Sequence, residues 1–396
     1  MLNNSNRPRI AIATNWKYPD YGGMIQAYAS QLAVESLGFE PEVLDVHNLQ
    51  DDIDSRKMKY FLKNITDISV VREKSSVVLS SLRRKLPGEY SNGIRVRREA
   101  FAAFSSKHFK PSRAYKSWED LSDAMREYSC VLVGSDQLWL PSNIMGDYYT
   151  LRFVPDDVRI ANYATSFGVA AVPDYMKNQT RAFLARFDAL SARESSGQRI
   201  IHDLTGKDVP LVCDPTLLID AERWGSVAER NEHLNEPYIF CYLMGDNPYQ
   251  REFVREIKRL TGYRIVQMPH LDRYIASDKD FADIRVYDAG PAEFLGLVKN
   301  AALVCTDSFH GTIFSSIFNT PFFVFPRFTK KATLSTNTRI ESLLNRLDLT
   351  DRFVEFGDSP SACLEREIDF GRLNAAIAEF RSESLNYLSA ALGVVE

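Results

Sequence analysis

Short β-rich apolar runs alternate with helix-period segments along most of this sequence, and a polar break near its middle divides the alternation in two. A glycine-rich turn lies within the first strand–helix–strand unit. Those features predict an α/β protein of two Rossmann-like domains with a C-terminal helix. RIAIAT (9–14) reads as a buried strand, followed by a loop that ends in Tyr21-Gly22-Gly23. A helix follows with Ile25, Tyr28, Ala29 and Leu32 on one face. Gly38 is its expected C-cap, and EPEVLDV supplies the next strand. CVLVGSD, IANYATSFG, DALSARE and VPLVCDPT read as further strands, with helices near 98–108, 118–127, 174–187 and 195–205. The polar run NEHLNEP places a boundary near 220–237, giving domains 1–225 and 226–396. The second alternation runs through YIFCYLMG, RIVQMP, Ile284 to Tyr287, ALVCTDS and PFFVFP. The last 25 residues have the pattern of an amphipathic helix.

The 396 residues suffice for two ordinary domains, and 45% apolar with 25% charged residues excludes extended disorder. A net charge of −4 argues against nucleic acid as a partner. No apolar run is long enough to span a bilayer and MLNNSNRPRI has no apolar leader, so the expected location is the cytoplasm. The five cysteines are far apart without a C-x-x-C, and the six histidines lack metal-ligand spacing, so no metal is expected. One segment departs from the average. Arg56 to Arg98 holds 12 Lys/Arg against 3 Asp/Glu, a local +9 that leaves −13 elsewhere. It reads either as a solvated helical insertion or as a footprint for anionic lipid or a diphosphate-linked acceptor. In the second case each cation contributes about 1 kcal/mol near such a surface.

The most informative segment is Thr306-Asp307-Ser308-Phe309-His310-Gly311-Thr312, which follows a strand and opens a helix. Helix N-termini at the carboxyl ends of parallel strands favour anions, and a histidine there can exchange protons near neutral pH. The alternative is a capped helix with His310 packed beneath it. Gly22, Gly23 and Gln26 follow the same logic in the first half, against a tight turn that binds nothing. Ser135, Asp136 and Gln137 group polar side chains after CVLV, where a carboxylate either engages a sugar hydroxyl or caps the next helix. Arg193 is a candidate fork for carboxylate or phosphate, or else a surface partner of Glu194 or another acid. Asp214-Pro215-Thr216 reads as a structural turn. Arg327, Lys330, Lys331 and Arg339 crowd a loop after PFFVFP, and such a loop either closes over an anion or is plain surface.

In order along the chain, YGGMIQAYA, VLVGSDQLW, NYATSFG, LSARESSG, DPTLL, LVCTDSFHGTIFS and NTRIESLLNRLDLTDR resemble the polysaccharide pyruvyl transferase family. The resemblance implies a GT-B-like fold with the active site in a central cleft between two domains. It implies transfer of pyruvate from phosphoenolpyruvate to two hydroxyls of one sugar, giving a cyclic ketal and phosphate. The acceptor would be a cell-surface glycan or its polyprenyl-diphosphate-linked precursor, no cofactor would be needed, and the inner face of the membrane becomes a second possible location. His310 matches the family's histidine of its H-G motif and is expected as the acid or phosphate partner; Asp136 is the candidate for a sugar-hydroxyl contact or for the base. Arg193 matches a basic residue of the family, and with Ser308, Gly311, Thr312, Arg327, Lys331 and Arg339 it is expected to bind the donor. Gly22, Gly23, Gln26, Ser135 and Gln137 would line the cleft. Many members carry arginine-leucine before the histidine, where this chain has Ser308-Phe309, so either Arg327, Lys331 or Arg339 replaces that arginine or the donor is bound differently. Two competing readings are a nucleotide-sugar glycosyltransferase of the same shape and a non-catalytic scaffold on the membrane surface.

Overall fold

The computed structural model describes residues 7–64, 89–270, 275–278, 280–327 and 338–394. The chain divides into two compact units. The first holds the described residues of Met1–Val70, Ser105–Ile219 and Glu379–Glu396, and the second those of Val71–Phe104 and Asp220–Ala378.

The first unit is built on strands β1 (Arg9–Ala13), β2 (Glu40–Asp45), β3 (Pro111–Ala114), β4 (Cys130–Val133) and β5 (Ile160–Asn162). All pair in parallel, in the order β3-β2-β1-β4-β5. Strands β1, β4 and β5 are buried on both faces, as a parallel sheet covered by helices requires, while β2 and the edge strand β3 are partly exposed. The helices up to this sheet's edge are α1 (Tyr21–Ser36), α2 (Gln50–Lys63), α3 (Glu89–His108), α4 (Trp118–Ala124) and α5 (Pro141–Gly146), of which α3 belongs to the second unit as far as Phe104. After β5 come α6 (Lys177–Ala185), α7 (Ser195–Thr205) and α8 (Pro215–Leu218). The core centres on Trp139, fully buried against the rings of Phe167, Phe183 and Phe187 at 5.2, 5.5 and 5.6 Å.

The second unit repeats the plan with α9 (Ala221–Val227), β6 (Tyr238–Tyr242), α10 (Pro248–Thr261), β7 (Arg264–Gln267) and β8 (Ile284–Arg285). There follow α11 (Pro291–Lys299), β9 (Leu303–Thr306), α12 (Phe309–Ile317) and β10 (Phe322–Val324). Helices α13 (Thr338–Arg346), α14 (Pro360–Leu364) and α15 (Phe370–Ala391) complete the chain. The sheet order is β10-β9-β6-β7-β8, again all parallel. Gly296 shows how tightly α11 packs: a Cβ there would lie 1.8 Å from the carbonyl oxygen of Glu229. Backbone cannot yield as a flexible side chain can. Gly296→Ala is therefore expected to cost about 1–3 kcal/mol, read as a fall in Tm.

Three expectations are corrected, and one strand was not expected. Gly22 and Gly23 do not precede α1 but form its first turn, because Asp20 caps the helix by accepting from the Gly23 amide at 2.6 Å. DALSARE and VPLVCDPT make isolated bridges rather than strands. Side chains occupy the backbone groups that a ladder would need: Ser191 N donates to Asn162 Oδ1 and Cys213 N to Ser384 Oγ. The edge strand β3 has no apolar run to announce it, only PSRA with one buried position. Within the basic stretch, Arg97 is buried and donates to the carbonyls of Pro269, Val286 and Tyr287, so it serves packing in the second unit. Residues 65–88 of that stretch lie outside the described residues.

Candidate active site

Each sheet reverses its strand order once, between β1 and β4 in the first unit and between β6 and β9 in the second. In open parallel sheets the connections diverge at that point, leaving a crevice at the carboxyl ends where ligands collect. Both clusters of candidate residues stand at these switch points.

In the first unit, Gly134 follows β4 because a Cβ would approach Thr14 Oγ1 to 3.0 Å at the end of β1. Asp136 then adopts a left-handed φ of 76°, a strained value for a non-glycine residue. It is held there by its carbonyl, which accepts from Leu138 N at 2.7 Å and Ser166 N at 2.8 Å. The Asp136 carboxylate reaches α1, lying 3.7 Å from where a Gly23 side chain would begin, so glycine at 23 keeps that approach open. Gln26, in the second turn of α1, is buried and donates to Thr14 Oγ1 and the Gly23 carbonyl, while its Oε1 has no hydrogen-bond partner among the described residues. Gln137 packs against Gly168, and its carbonyl accepts from Asn143.

Arg193 lies beneath this surface rather than on it, its side chain 1% exposed. Its Nη1 donates to Asp214 Oδ2 at 2.7 Å and to Ser135 Oγ at 3.3 Å, and its Nη2 to Asp136 Oδ1 at 3.4 Å. Its Nε is 3.8 Å from Glu194 Oε2. Burial pulls the guanidinium pKa down, but Asp214, Asp136 and Glu194 outweigh it, so the pKa rises above its ordinary value. Of the three carboxylates around this arginine, Asp136 is the most exposed, at 22% of its side chain. Asp214, read from sequence as a turn residue, is the arginine's shortest partner; its other oxygen caps α8 through Thr216 N and Oγ1. Glu194 accepts from Ser166 Oγ at 2.8 Å. One cation facing three carboxylates makes this a site suited to hydroxyl groups and protons, and unfavourable to a polyanion.

The second unit has the opposite electrostatic character. Asp307, fully buried at the end of β9, accepts from the backbone amides of Met244 and Gly245 and from Gln250 Nε2. It thereby ties the loop after β6 to the start of α12. Ser308 caps α12, its Oγ accepting from Gly311 N at 3.3 Å. Gly311 is required there, because a Cβ would come within 2.5 Å of Thr306 Oγ1. The Gly311 and Thr312 amides are engaged within the helix start, the latter donating to the Ser308 carbonyl at 3.0 Å, and Thr312 Oγ1 donates to that same carbonyl. His310 sits in the first turn, 7% exposed, edge-on to the Phe309 ring. Two arginines meet its neighbours, and one of them, Arg327, has its Nε 4.0 Å from the buried Asp307 carboxylate. Arg327 Nη2 donates to the Asp307 carbonyl at 3.1 Å, and Arg339 places its guanidinium 5.8 Å from the Phe309 ring centre. Lys331 lies outside the described residues. Two arginines and a histidine at a helix N-terminus form a site that favours an anion.

Sequence reading missed Asp214 and Gln250 as parts of these networks, placed Glu194 only as a surface partner of Arg193, and placed Asp307 only within the strand-end segment. Their one visible signal was position: each carboxylate borders a strand-end motif already singled out, and Gln250 opens a helix after a strand.

Two Rossmann-like units with polar switch-point sites and a C-terminal helix define a GT-B-like α/β protein. The family model for polysaccharide pyruvyl transferase matches residues 20–327. The chain therefore belongs to the polysaccharide pyruvyl transferase family, and is a transferase by that membership. No curated protein matches its sequence. Among solved structures it is similar to a Listeria monocytogenes protein described as a UDP-N-acetylglucosamine 2-epimerase. That match has 11% identity and a TM-score of 0.54, over 99% of this chain and 98% of the other. It is also similar to a UDP-GlcNAc 2-epimerase of Neisseria meningitidis bound to UDP-GlcNAc, at 11% identity and TM-score 0.45, over 98% and 97%. At such identity the first likeness speaks for the fold alone. No helix among the described residues is long and apolar enough to cross a membrane.

Proposed function

We propose that this transferase moves the pyruvyl group of phosphoenolpyruvate onto two hydroxyls of one sugar in a cell-surface glycan or its lipid-linked precursor. The observation that carries this reading is the opposite charge of the two switch-point sites. Phosphoenolpyruvate bears a carboxylate and a phosphate, which suits the α12 N-terminus with Arg327 and Arg339. The sugar contributes hydroxyls that must lose protons, which suits Asp136.

The steps balance as follows. His310 gives a proton to the donor's methylene carbon, so C2 becomes electrophilic while a methyl group forms. A sugar hydroxyl adds to C2 and its proton passes to Asp136. Phosphate leaves with the C2–O bond pair, and the second hydroxyl closes the ring as its proton passes to the departing phosphate. Arg327 takes the place of the arginine that many members carry at the position of Ser308. Arg193 acts as a positioning residue: it holds Asp136, whose strained backbone aims the carboxylate outward. The reaction so written needs neither a metal nor an organic cofactor, and phosphoenolpyruvate places it in the cytoplasm.

A thermal-shift titration tests the donor. Phosphoenolpyruvate at 100 Kd is expected to stabilise the wild type by about 2.7 kcal/mol. Arg327→Ala is expected to lose most of that shift while melting close to wild type without ligand, since the residue is partly exposed. Stabilisation by a UDP- or GDP-sugar with none by phosphoenolpyruvate would overturn the reading.

A further inference from the structure

Helix α2 presents an unusual face to solvent. Its last two turns, Arg56 to Lys63, hold four Lys/Arg, no acid and four large apolar side chains. The inner face is accounted for: Ile53 is buried, and the stem of Lys57 packs over Gly146 of α5. Arg56 pairs with Asp52 and lies over the Trp118 ring, and Lys57 pairs with Asp54. The outer face is different. Met58 and Leu62, one turn apart, are 48% and 63% exposed, with Lys59 and Lys63 exposed beside them. Tyr175 extends the patch at 48% exposure, with Lys63 Nζ 5.3 Å from its ring centre and its hydroxyl accepting from Asn64 Nδ2 at 2.8 Å.

We propose that Met58, Leu62 and Tyr175, with Lys59 and Lys63, form a docking surface for an anionic lipid bilayer. Apolar side chains interleaved with lysines on one helix face match the boundary between headgroups and acyl chains, where the former bury and the latter meet phosphate. Charge complementarity selects the bilayer. The chain as a whole carries −4, so a negative membrane repels most of it and attracts this cationic face. A second copy of the chain is the poorer occupant, because a two-fold contact would set Lys59 and Lys63 against their own counterparts. The inference does not depend on the donor or the reaction. It adds a place where a lipid-linked sugar would be met.

The test is co-sedimentation of the full chain with phosphatidylglycerol–phosphatidylcholine vesicles and with pure phosphatidylcholine vesicles, at low and high salt. Binding is expected only with phosphatidylglycerol, weakening as salt rises. M58D/L62D and K59E/K63E are each expected to lower the partition coefficient about tenfold or more. Met58→Leu is expected to keep it. All these positions are exposed, so melting temperature and the thermal response to phosphoenolpyruvate should match wild type, which separates this inference from the donor assignment. Absence of wild-type binding, equal binding by M58D/L62D, or salt-independent binding to pure phosphatidylcholine would overturn it. So would light scattering showing a dimer that the same substitutions dissolve.

Discussion

Replacing Asp214 by alanine is expected to destabilise the first unit by about 3–5 kcal/mol, a fall in Tm on the order of 10 °C. The size follows from burial. The carboxylate is fully buried and meets an arginine side chain that is 1% exposed, so its removal leaves a guanidinium with neither water nor its shortest partner. The same substitution uncaps α8, since Asp214 Oδ1 accepts from both Thr216 N and Thr216 Oγ1. A surface pair would behave otherwise, its loss costing about 0–1 kcal/mol. A Tm within about 2 °C of wild type would therefore sink the account of Arg193 as a buried positioning residue. Replacing the pair together, as Arg193→Met with Asp214→Leu, should recover only part of the stability, because the buried Glu194 loses its cation and α8 its cap, and none of the activity, because Asp136 would lose its support.

The arginine's pH dependence has a definite sign. Its folded pKa is raised, so its contribution is complete below the unfolded value and is lost only as pH rises through the folded one. Both lie far into the alkaline range. Raising the pH from 7 to 10 should leave this pair's contribution unchanged in urea titrations of wild type against Arg193→Met/Asp214→Leu.

What the sequence made legible was whatever a local pattern specifies. Four of the five strands of the second sheet sit in apolar runs bounded by turns, β8 is only the half-buried pair Ile284–Arg285, and all five segments were readable. The strand-end motifs around Asp136 and His310 were readable for the same reason, since a glycine or a capping serine sits beside them. Pairings between distant segments were not. Arg193 and Asp214 are 21 residues apart and Asp307 and Gln250 are 57 apart, and no periodicity links such positions. Polar edge strands such as β3 carry no apolar signal, and side chains that satisfy backbone groups, as Asn162 does for Ser191, erase strands that composition predicts. The charge of the basic stretch was legible, but not the destination of each side chain: Arg97 turns inward and Lys63 outward.

His310→Gln is expected to lower kcat by about 10²–10⁴-fold in a phosphate-release assay, with little change in Tm. Glutamine keeps a polar group in the first turn of α12 and leaves the Ser308 cap and the Gly311 contact with Thr306 in place, so the loss would report chemistry rather than folding. The way the loss divides between kinetic constants identifies the role. A residue that protonates the methylene carbon acts in the transition state alone, so kcat and kcat/KM for phosphoenolpyruvate should fall together. A residue that only holds the donor's phosphate would raise KM and leave kcat nearly intact. Arg327→Ala supplies the contrast, being expected to raise KM for phosphoenolpyruvate about tenfold or more with a smaller effect on kcat. If His310→Gln followed the arginine's pattern instead, the proton would have to come from another group, and the histidine would be one more wall of the anion site.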